Sequence, residues 1–79
     1  MSVQDAWGGE IAFAAALHLA QTVPERLLRC VLDLRDTSPV VLGSIDAPVA
    51  DGGVRAPSTP GLGVVPDLAV LGDPVATWA

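Results

Sequence analysis

The segment from Gly8 to Ala20 constrains this chain more than any other, because it predicts a helix with almost no polar side. No charged or hydrogen-bonding side chain stands between Glu10 and His18. A helix that is apolar on all sides has to be covered on all sides. A chain of 79 residues has little else with which to cover it. We therefore expect the chain to be a part of a larger protein and to share that protein's function.

The composition supplies no covalent or metal-based stabilisation. In a chain of this size, the free energy gained by apolar burial barely offsets the entropy lost on ordering. Cys30 is the single cysteine, so no disulfide can form within the chain, and we interpret it as a small core residue. His18 is the single histidine, which argues against a zinc site. Because it lies in the apolar run, we interpret it as a buried histidine with one hydrogen bond rather than as a ligand.

The charge balance argues against nucleic acid and membrane partners. The net charge is −5, with four arginines and no lysine, so the basic patch that neutralises phosphates is missing. No stretch reaches the roughly 18 apolar residues of a membrane span. The apolar run follows an acidic residue and two glycines, unlike a signal peptide. Together with the single cysteine, this predicts a cytoplasmic location.

The first half of the chain predicts a strand, a helix and a second strand. Residues 2–5 are typical of the end of a strand, and residues 6–9 of a short loop. The helix is predicted from about Gly9 to Gln21, where the following Thr-Val-Pro stops it. Residues 27–34 form a mostly apolar run, which is typical of a strand buried in a parallel sheet. This order predicts a βαβ unit.

The second half of the chain is rich in proline and glycine and has no helical periodicity of useful length. Residues 49–55 predict a small hairpin that turns at Asp51-Gly52. Residues 60–64 predict a turn that leads into an extended segment. Such a tail has little core of its own, so we expect it to wrap over another part of the protein.

The order of several short motifs resembles the carboxyl-terminal end of enolase-superfamily enzymes. More narrowly, the chain is similar to the mandelate racemase/muconate lactonizing enzyme branch, and within it to the cis-3-hydroxyproline dehydratases and the hydroxyproline-betaine epimerases. The resemblance covers essentially the whole chain. It rests on these segments: Gln4-Asp5-Ala6-Trp7-Gly8-Gly9-Glu10, an alanine-rich helix ending His18-Leu19-Ala20, Pro24-Glu25-Arg26-Leu27-Leu28, Asp51-Gly52-Gly53-Val54 and Pro60-Gly61-Leu62-Gly63-Val64.

The resemblance implies an α/β fold, with this chain as a fragment of a (β/α)7β TIM-like barrel. Residues 1–43 would supply the last βαβ unit, with residues 2–5 ending strand seven, 9–21 forming its helix and 27–34 forming strand eight. Residues 44–79 would form a Pro/Gly-rich tail, with a small β-hairpin, that returns to a capping domain. The partners implied are the remainder of the barrel and that capping domain, in an enzyme that forms a homo-oligomer.

The resemblance also implies a Mg²⁺-dependent racemase, epimerase or dehydratase that abstracts a proton alpha to a carboxylate. The substrate implied is a cyclic amino acid or a betaine. In this family the acids that bind the metal and the lysine bases lie on barrel strands outside these 79 residues. We therefore expect no catalytic residue and no metal ligand in this chain, and no activity of the chain alone.

What the chain could contribute is the wall of a pocket. Trp7 would attract a cationic amine through its ring, or it is a hydrophobic cover over the start of the helix. Asp5 would add a negative charge to the pocket, or it has a structural role as a solvated strand end or a loop hydrogen bond. Gly8 and Gly9 precede a helix N-terminus that could bind a carboxylate, or they simply permit a tight turn.

Three further residues have open interpretations. Asp33 and Asp36 lie at the end of the second predicted strand and either line the pocket or have a structural role, for Asp36 as a cap or a solvated residue. Trp78 is predicted to anchor the end of the chain by packing.

A different class of function stays open on the sequence alone. The chain could be a small non-catalytic binding module that docks on a partner through its apolar helix. A membrane-surface helix is excluded because the helix lacks a basic polar face. Met1 stands where a strand should already be under way, which is typical of an internal methionine and favours the enzyme fragment.

Overall fold

The computed structural model describes residues 1–5, 8–35, 40–47 and 49–78. The first three elements are β1 (Ser2–Gln4), α1 (Gly9–Ala20) and β2 (Cys30–Leu32). β1 and β2 pair in parallel, with Val3 opposite Val31, and α1 connects them. Parallel neighbours need such a crossover, because a tight turn can join only antiparallel strands.

The second strand is shorter than the apolar run that predicted it. Residues 27–34 were expected to be extended throughout, but Glu25–Leu27 forms a 3-10 turn. The amides of Leu27 and Leu28 donate to the carbonyl of Pro24 at 2.8 and 3.2 Å, so this backbone is already paired before the strand begins. Apolar character in a short run therefore does not by itself fix the extended conformation.

The second half of the chain returns over the helix in short antiparallel pieces. β3 (Gly43–Ile45) pairs with β6 (Val64–Pro66), with Ser44 opposite Val65. Between them, β4 (Val49–Ala50) and β5 (Gly53–Val54) form the hairpin that Asp-Gly predicts. Its two turn residues, Asp51 and Gly52, have φ angles of 52° and 73°, the left-handed pair that a type I′ turn requires.

A four-residue helix, α2 (Leu68–Leu71), follows β6 in a segment for which no helix was predicted. The carboxylate of Asp67 caps it by accepting from the amides of Ala69 and Val70 at 3.1 and 3.3 Å. An aspartate in this position satisfies amides that have no partner within the helix. Local capping chemistry is therefore enough to form one turn where hydrophobic periodicity is absent.

α1 contributes to both hydrophobic clusters of the described structure. On the side of the strands, Val3 packs with Ala16 and Ala20, with Leu28 and Val31 at the margin. The other cluster brings Phe13 and Leu17 against Ala56, with partly buried residues around them: Val31, Ile45, Ala47 and Val54. The tail thus covers one side of the helix within the chain itself, which the sequence did not predict.

The described part of the chain buries few of its hydrophobic side chains. Among the described hydrophobic residues, seven are buried, and four of these are alanines. Fourteen large hydrophobic side chains in the same part of the chain are exposed, including Ile11 and Leu19 on α1. No helix in the described ranges is long and apolar enough to cross a membrane.

Two predictions about packing are wrong for this chain. Trp78 was expected to anchor the chain end, but its side chain is 86% exposed. Cys30 was expected in the core, but it is exposed, with its sulfur 3.4 Å from the hydroxyl oxygen of Ser2. Side chains alternate along a strand, so the faces of β1 and β2 that carry Ser2 and Cys30 lie opposite the inward face that carries Val3.

We predict that the isolated chain unfolds over a broad temperature range and binds a fluorescent dye that recognises apolar surface. The reason is that its few buried side chains are mostly small, while many large ones are exposed. Thermal melting followed by circular dichroism, with dye titration of a dilute monomer, tests this. A sharp, cooperative transition at high temperature without dye binding would contradict it.

We predict that Phe13→Ala removes most of the helical signal of the isolated chain, whereas Ile11→Ala preserves it. Phe13 is 2% exposed, and truncating a buried aromatic ring costs about 3–5 kcal/mol, comparable to the whole stability of a small domain. Ile11 is 44% exposed on the same helix and serves as the matched control. Far-ultraviolet circular dichroism measures both variants, and equal losses would show that Phe13 is not the centre of the packing.

Candidate functional site

The carboxyl ends of β1 and β2 lie at one edge of the structure, because the two strands are parallel. Asp5 follows β1 directly, and Asp33 follows β2 directly. In barrels and open sheets of parallel strands, functional groups gather at this edge. We call Asp5, Asp33 and Arg35, together with the backbone of Leu34, the strand-end cluster.

Asp5 is buried in the cluster and bound to the neighbouring strand end. Its residue is 3% exposed, and both carboxylate oxygens accept a hydrogen bond from the backbone N–H of Leu34 at 3.1 Å. Its own N–H donates to the carbonyl of Leu32 at 3.4 Å, which extends the strand pairing by one step. A buried carboxylate is costly unless it is hydrogen-bonded. Of the two interpretations left open for Asp5, this geometry supports the loop hydrogen bond.

Asp33 forms an ion pair with Arg35, two residues further along the chain. The Arg35 Nη2 donates to Oδ2 at 2.6 Å, while Nε lies 2.9 Å from Oδ1 and 3.0 Å from Oδ2. The hydrogen bond from the Arg35 side chain holds the pKa of the Asp33 carboxyl below its usual value of 3.8. Asp33 is therefore a carboxylate at neutral pH, with its charge balanced by its neighbour. Asp36 lies outside the described residues.

Arg35 also rests on the helix. Its guanidinium carbon lies 4.0 Å from the centre of the Phe13 ring, the distance of a cation–π contact. Arg35 was not among the candidate site residues predicted from the sequence. The signal that could have found it is the Asp-x-Arg spacing just after an apolar strand, since residues two apart in extended backbone face the same side. The cluster thus joins both strand ends to α1.

Gly8 and Gly9 begin α1, and the structure gives each glycine a steric reason. A β-carbon on Gly8 would collide with the side chain of Ala12. Gly9 has a φ of 66°, and a β-carbon there would lie 3.3 Å from Cδ1 of Leu42. These contacts support the tight turn among the two interpretations of the pair. Trp7, the aromatic candidate for the pocket wall, lies outside the described residues.

Glu10 holds the returning chain to the start of the helix. It is 8% exposed, and its Oε2 accepts from the N–H of Leu42 at 3.0 Å. Glu10 lies in the first turn of α1, where the helix dipole favours an acid. His18 lies in the last turn, partly buried, with Nε2 3.2 Å from the Leu62 carbonyl, so one hydrogen bond satisfies it as expected.

The cluster does not have the donor set of a metal centre. Within residues 1–5, 8–35, 40–47 and 49–78, no three His, Cys, Asp or Glu side chains come together closely enough to hold a metal ion. Asp5 is engaged by backbone and Asp33 by Arg35. Every buried side-chain nitrogen or oxygen in that part of the chain has a hydrogen-bond partner. These residues therefore do not fit Mg²⁺ binding by themselves.

An open groove of about 640 Å³ lies beside the β4–β5 hairpin, away from the strand ends. Asp46, Asp51 and Arg55 line it, and all three are exposed. An exposed charged groove of this kind is solvated rather than pre-organised for a ligand, since binding sites bury most of the ligand's surface. The strand-end cluster is therefore the better candidate for a functional region.

Comparison with known proteins assigns the fold to a family. The family described as "Enolase C-terminal domain-like" matches residues 1–70. A cis-3-hydroxy-L-proline dehydratase of Roseibium aggregatum is 33% identical over 79 residues, which is all of this chain and 22% of that protein.

Two solved structures from Roseovarius nubinhibens ISM, both assigned to the mandelate racemase/muconate lactonizing enzymes, superpose closely. One is 55% identical with a TM-score of 0.90 and is matched over 99% of this chain and 21% of its own. The other, complexed with magnesium, is 54% identical with a TM-score of 0.89, over 100% of this chain and 22% of its own.

The chain thus spans about a fifth of the length of the relatives that it matches. The family match covers most of the sequence, and the superposition includes the strands and the helix that build the strand-end cluster. The resemblance noted in the sequence is thereby confirmed: this chain belongs to the enolase C-terminal domain-like family.

Proposed function

We propose that this chain forms the last βαβ unit and the carboxyl-terminal tail of an enolase-type barrel. The enzyme it belongs to would remove a proton alpha to a carboxylate, as a racemase, an epimerase or a dehydratase. The observation that carries the proposal is the close superposition, at 55% identity, on a mandelate racemase/muconate lactonizing enzyme about five times as long. In this role the chain supplies scaffold and pocket wall.

The substrate class we propose is a cyclic amino acid or a betaine. The dehydratase relative is named for cis-3-hydroxy-L-proline, a cyclic amino acid. Trp7 would present an aromatic face to the cationic nitrogen of such a substrate. Gly8 and Gly9 bring the helix N-terminus close to the strand ends, where its amides could face a carboxylate.

The proton chemistry would come from residues outside this chain. The sequence contains no lysine to act as a base, and the carboxylates of Asp5 and Glu10 already accept from backbone amides. Mg²⁺, when bound in such an enzyme, stabilises the negative charge that develops on the substrate carboxylate. We propose that its ligands lie on other strands of the barrel. The chain's own residues would orient the substrate and close one side of the pocket.

The two proposed portions, residues 1–43 and 44–79, would have different partners. The boundary falls inside β3 (Gly43–Ile45), so the tail begins on the strand that leads back over α1. Beyond β6, large apolar side chains are exposed, including Leu68, Val75 and Trp78. Exposed apolar residues at this density are typical of an interface. We propose that the capping domain of the enzyme covers them.

A non-catalytic binding module is the second candidate function. The observation in its favour is the apolar stripe on α1, where Ile11 and Leu19 are 44% and 57% exposed. The same stripe would face neighbouring helices if the chain were part of a barrel. The two functions differ in one respect: only the enzyme fragment supports turnover when it is joined to the rest of a barrel.

We predict that this chain can replace the segment with which it aligns in the Roseibium aggregatum dehydratase. The chimaera should dehydrate cis-3-hydroxy-L-proline, because the bases would remain in the host while the chain rebuilds the pocket wall. The dehydratase lacking that segment and the purified 79-residue chain should both be inactive. Turnover is measured as product formed from cis-3-hydroxy-L-proline. A chimaera that is folded by circular dichroism but inactive would contradict the proposed function and favour a binding module.

We predict that Trp7→Ala in this chimaera raises KM, while Trp7→Phe raises it less. Loss of a cation–π contact worth roughly 0.5–2 kcal/mol corresponds to an increase of about 2- to 30-fold. The control is Glu25→Ala, because Glu25 is exposed in the 3-10 turn that precedes β2, at the opposite end of that strand from the strand-end cluster, and should not affect KM. If Trp7→Ala lowers thermal stability but leaves KM unchanged, Trp7 is only a cover for the helix start.

A further inference from the structure

We propose that Asp5 is a positioning residue that fixes the segment from Asp33 to Arg35 at the edge of the pocket. The inference rests on the proposed function, because it assumes that the strand ends face the substrate. It assigns to Asp5 a role different from direct contact with the substrate. Its basis is the hydrogen bonding between two strand ends that are far apart in sequence.

The Asp5 carboxylate is buried and binds a backbone amide rather than solvent. Its residue is 3% exposed, and both carboxylate oxygens lie 3.1 Å from the amide nitrogen of Leu34. Hydrogen bonds with a charged acceptor are about twice as strong as neutral ones. A buried carboxylate aimed at a single N–H therefore holds that amide more firmly than a strand ladder would.

Leu34 lies just beyond the end of β2. β2 stops at Leu32, whose carbonyl accepts from the Asp5 N–H at 3.4 Å. Two residues further along, the Asp5 carboxylate binds the same segment again, through the backbone N–H of Leu34. A side chain at the end of one strand thus binds the backbone just beyond the end of the other.

The segment that Asp5 binds carries two charged side chains at the carboxyl ends of the strands. Asp33 and Arg35 flank Leu34, and they form a salt bridge at 2.6 Å. The Arg35 backbone N–H also donates to Asp33 Oδ1 at 3.0 Å, which closes a tight local turn. Arg35 then rests on the Phe13 ring. A shift of the Leu34 amide would move both charges relative to α1, where a substrate would approach.

The test uses the chimaera described above, with Asp5→Ala, Asp5→Asn and the control Asp46→Ala. Asp5→Ala removes the acceptor, whereas the amide oxygen of Asp5→Asn can still accept from the Leu34 N–H. Asp46 is an exposed aspartate that follows β3 and lines the groove beside the β4–β5 hairpin, so its loss removes a carboxylate that is not a member of the strand-end cluster. Two readouts are measured: hydrogen exchange of the peptide containing Leu34, and KM for cis-3-hydroxy-L-proline.

We expect Asp5→Ala to accelerate exchange at Leu34 about tenfold, the effect of losing one hydrogen bond, with the centre of α1 unchanged. We expect KM to rise about fivefold or more, since misplacement of a pocket-edge charge weakens substrate binding. Asp5→Asn should restore both values to within about twofold of the native chimaera. Asp46→Ala should change neither readout.

Two results would overturn the inference. One is unchanged exchange at Leu34 in Asp5→Ala, which would show that the carboxylate does not hold the amide. The other is a loss of maximal rate with unchanged KM, because a purely structural role reduces the folded fraction without altering substrate binding. If the native chimaera is itself inactive, the proposed function fails, and the exchange measurement alone decides whether Asp5 fixes the segment.

Discussion

The packing of α1 on both of its long sides is the constraint on which the rest of the structure depends. Ala16 and Ala20 lie against the parallel strands, and the larger residues Phe13 and Leu17 lie against the returning tail. Val31 borders both clusters, so a single residue of β2 connects the two sides. Small side chains let the helix approach the sheet closely, and the large ring fills the space that the irregular tail leaves. Neither strand pair nor tail would have a core without this helix.

Carboxylates serve mainly as backbone acceptors in the described structure. Asp5 accepts from Leu34, Glu10 from Leu42 and Asp67 from the first amides of α2. Each of these contacts lies where a regular ladder stops or a helix begins. Backbone amides in such places must find a partner or lose the free energy of hydration. The acidic composition of the chain therefore has a local structural use, in addition to any contribution to a substrate pocket.

The sequence predicted the features that depend on residues close in the sequence. It missed the features that depend on pairing with backbone far away in the sequence. The helix, the Asp51-Gly52 turn and the tight start at Gly8 and Gly9 follow from local patterns, and the structure has all of them. β3 (Gly43–Ile45) was not predicted, because its stability comes from pairing with β6, which lies much later in the chain. The partner of Asp5 could not be predicted either, because it is a backbone N–H, a group that nearly every residue carries.

The errors about Cys30 and Trp78 have a common physical cause. Both residues were expected to be buried on the basis of their chemistry, and both are exposed within the described part of the chain. Burial depends on what stands opposite a residue, and residue type alone does not determine it. The chain is about a fifth as long as the relatives it matches.

The exposed face of the strand pair and the exposed end of the tail are therefore the places where the rest of the proposed barrel would pack. On this view the carboxylates of the strand-end cluster are already engaged within the chain, because Asp5 accepts from the Leu34 amide and Asp33 pairs with Arg35. Its position at the edge, rather than any reactive group of its own, is what the chain would contribute to catalysis.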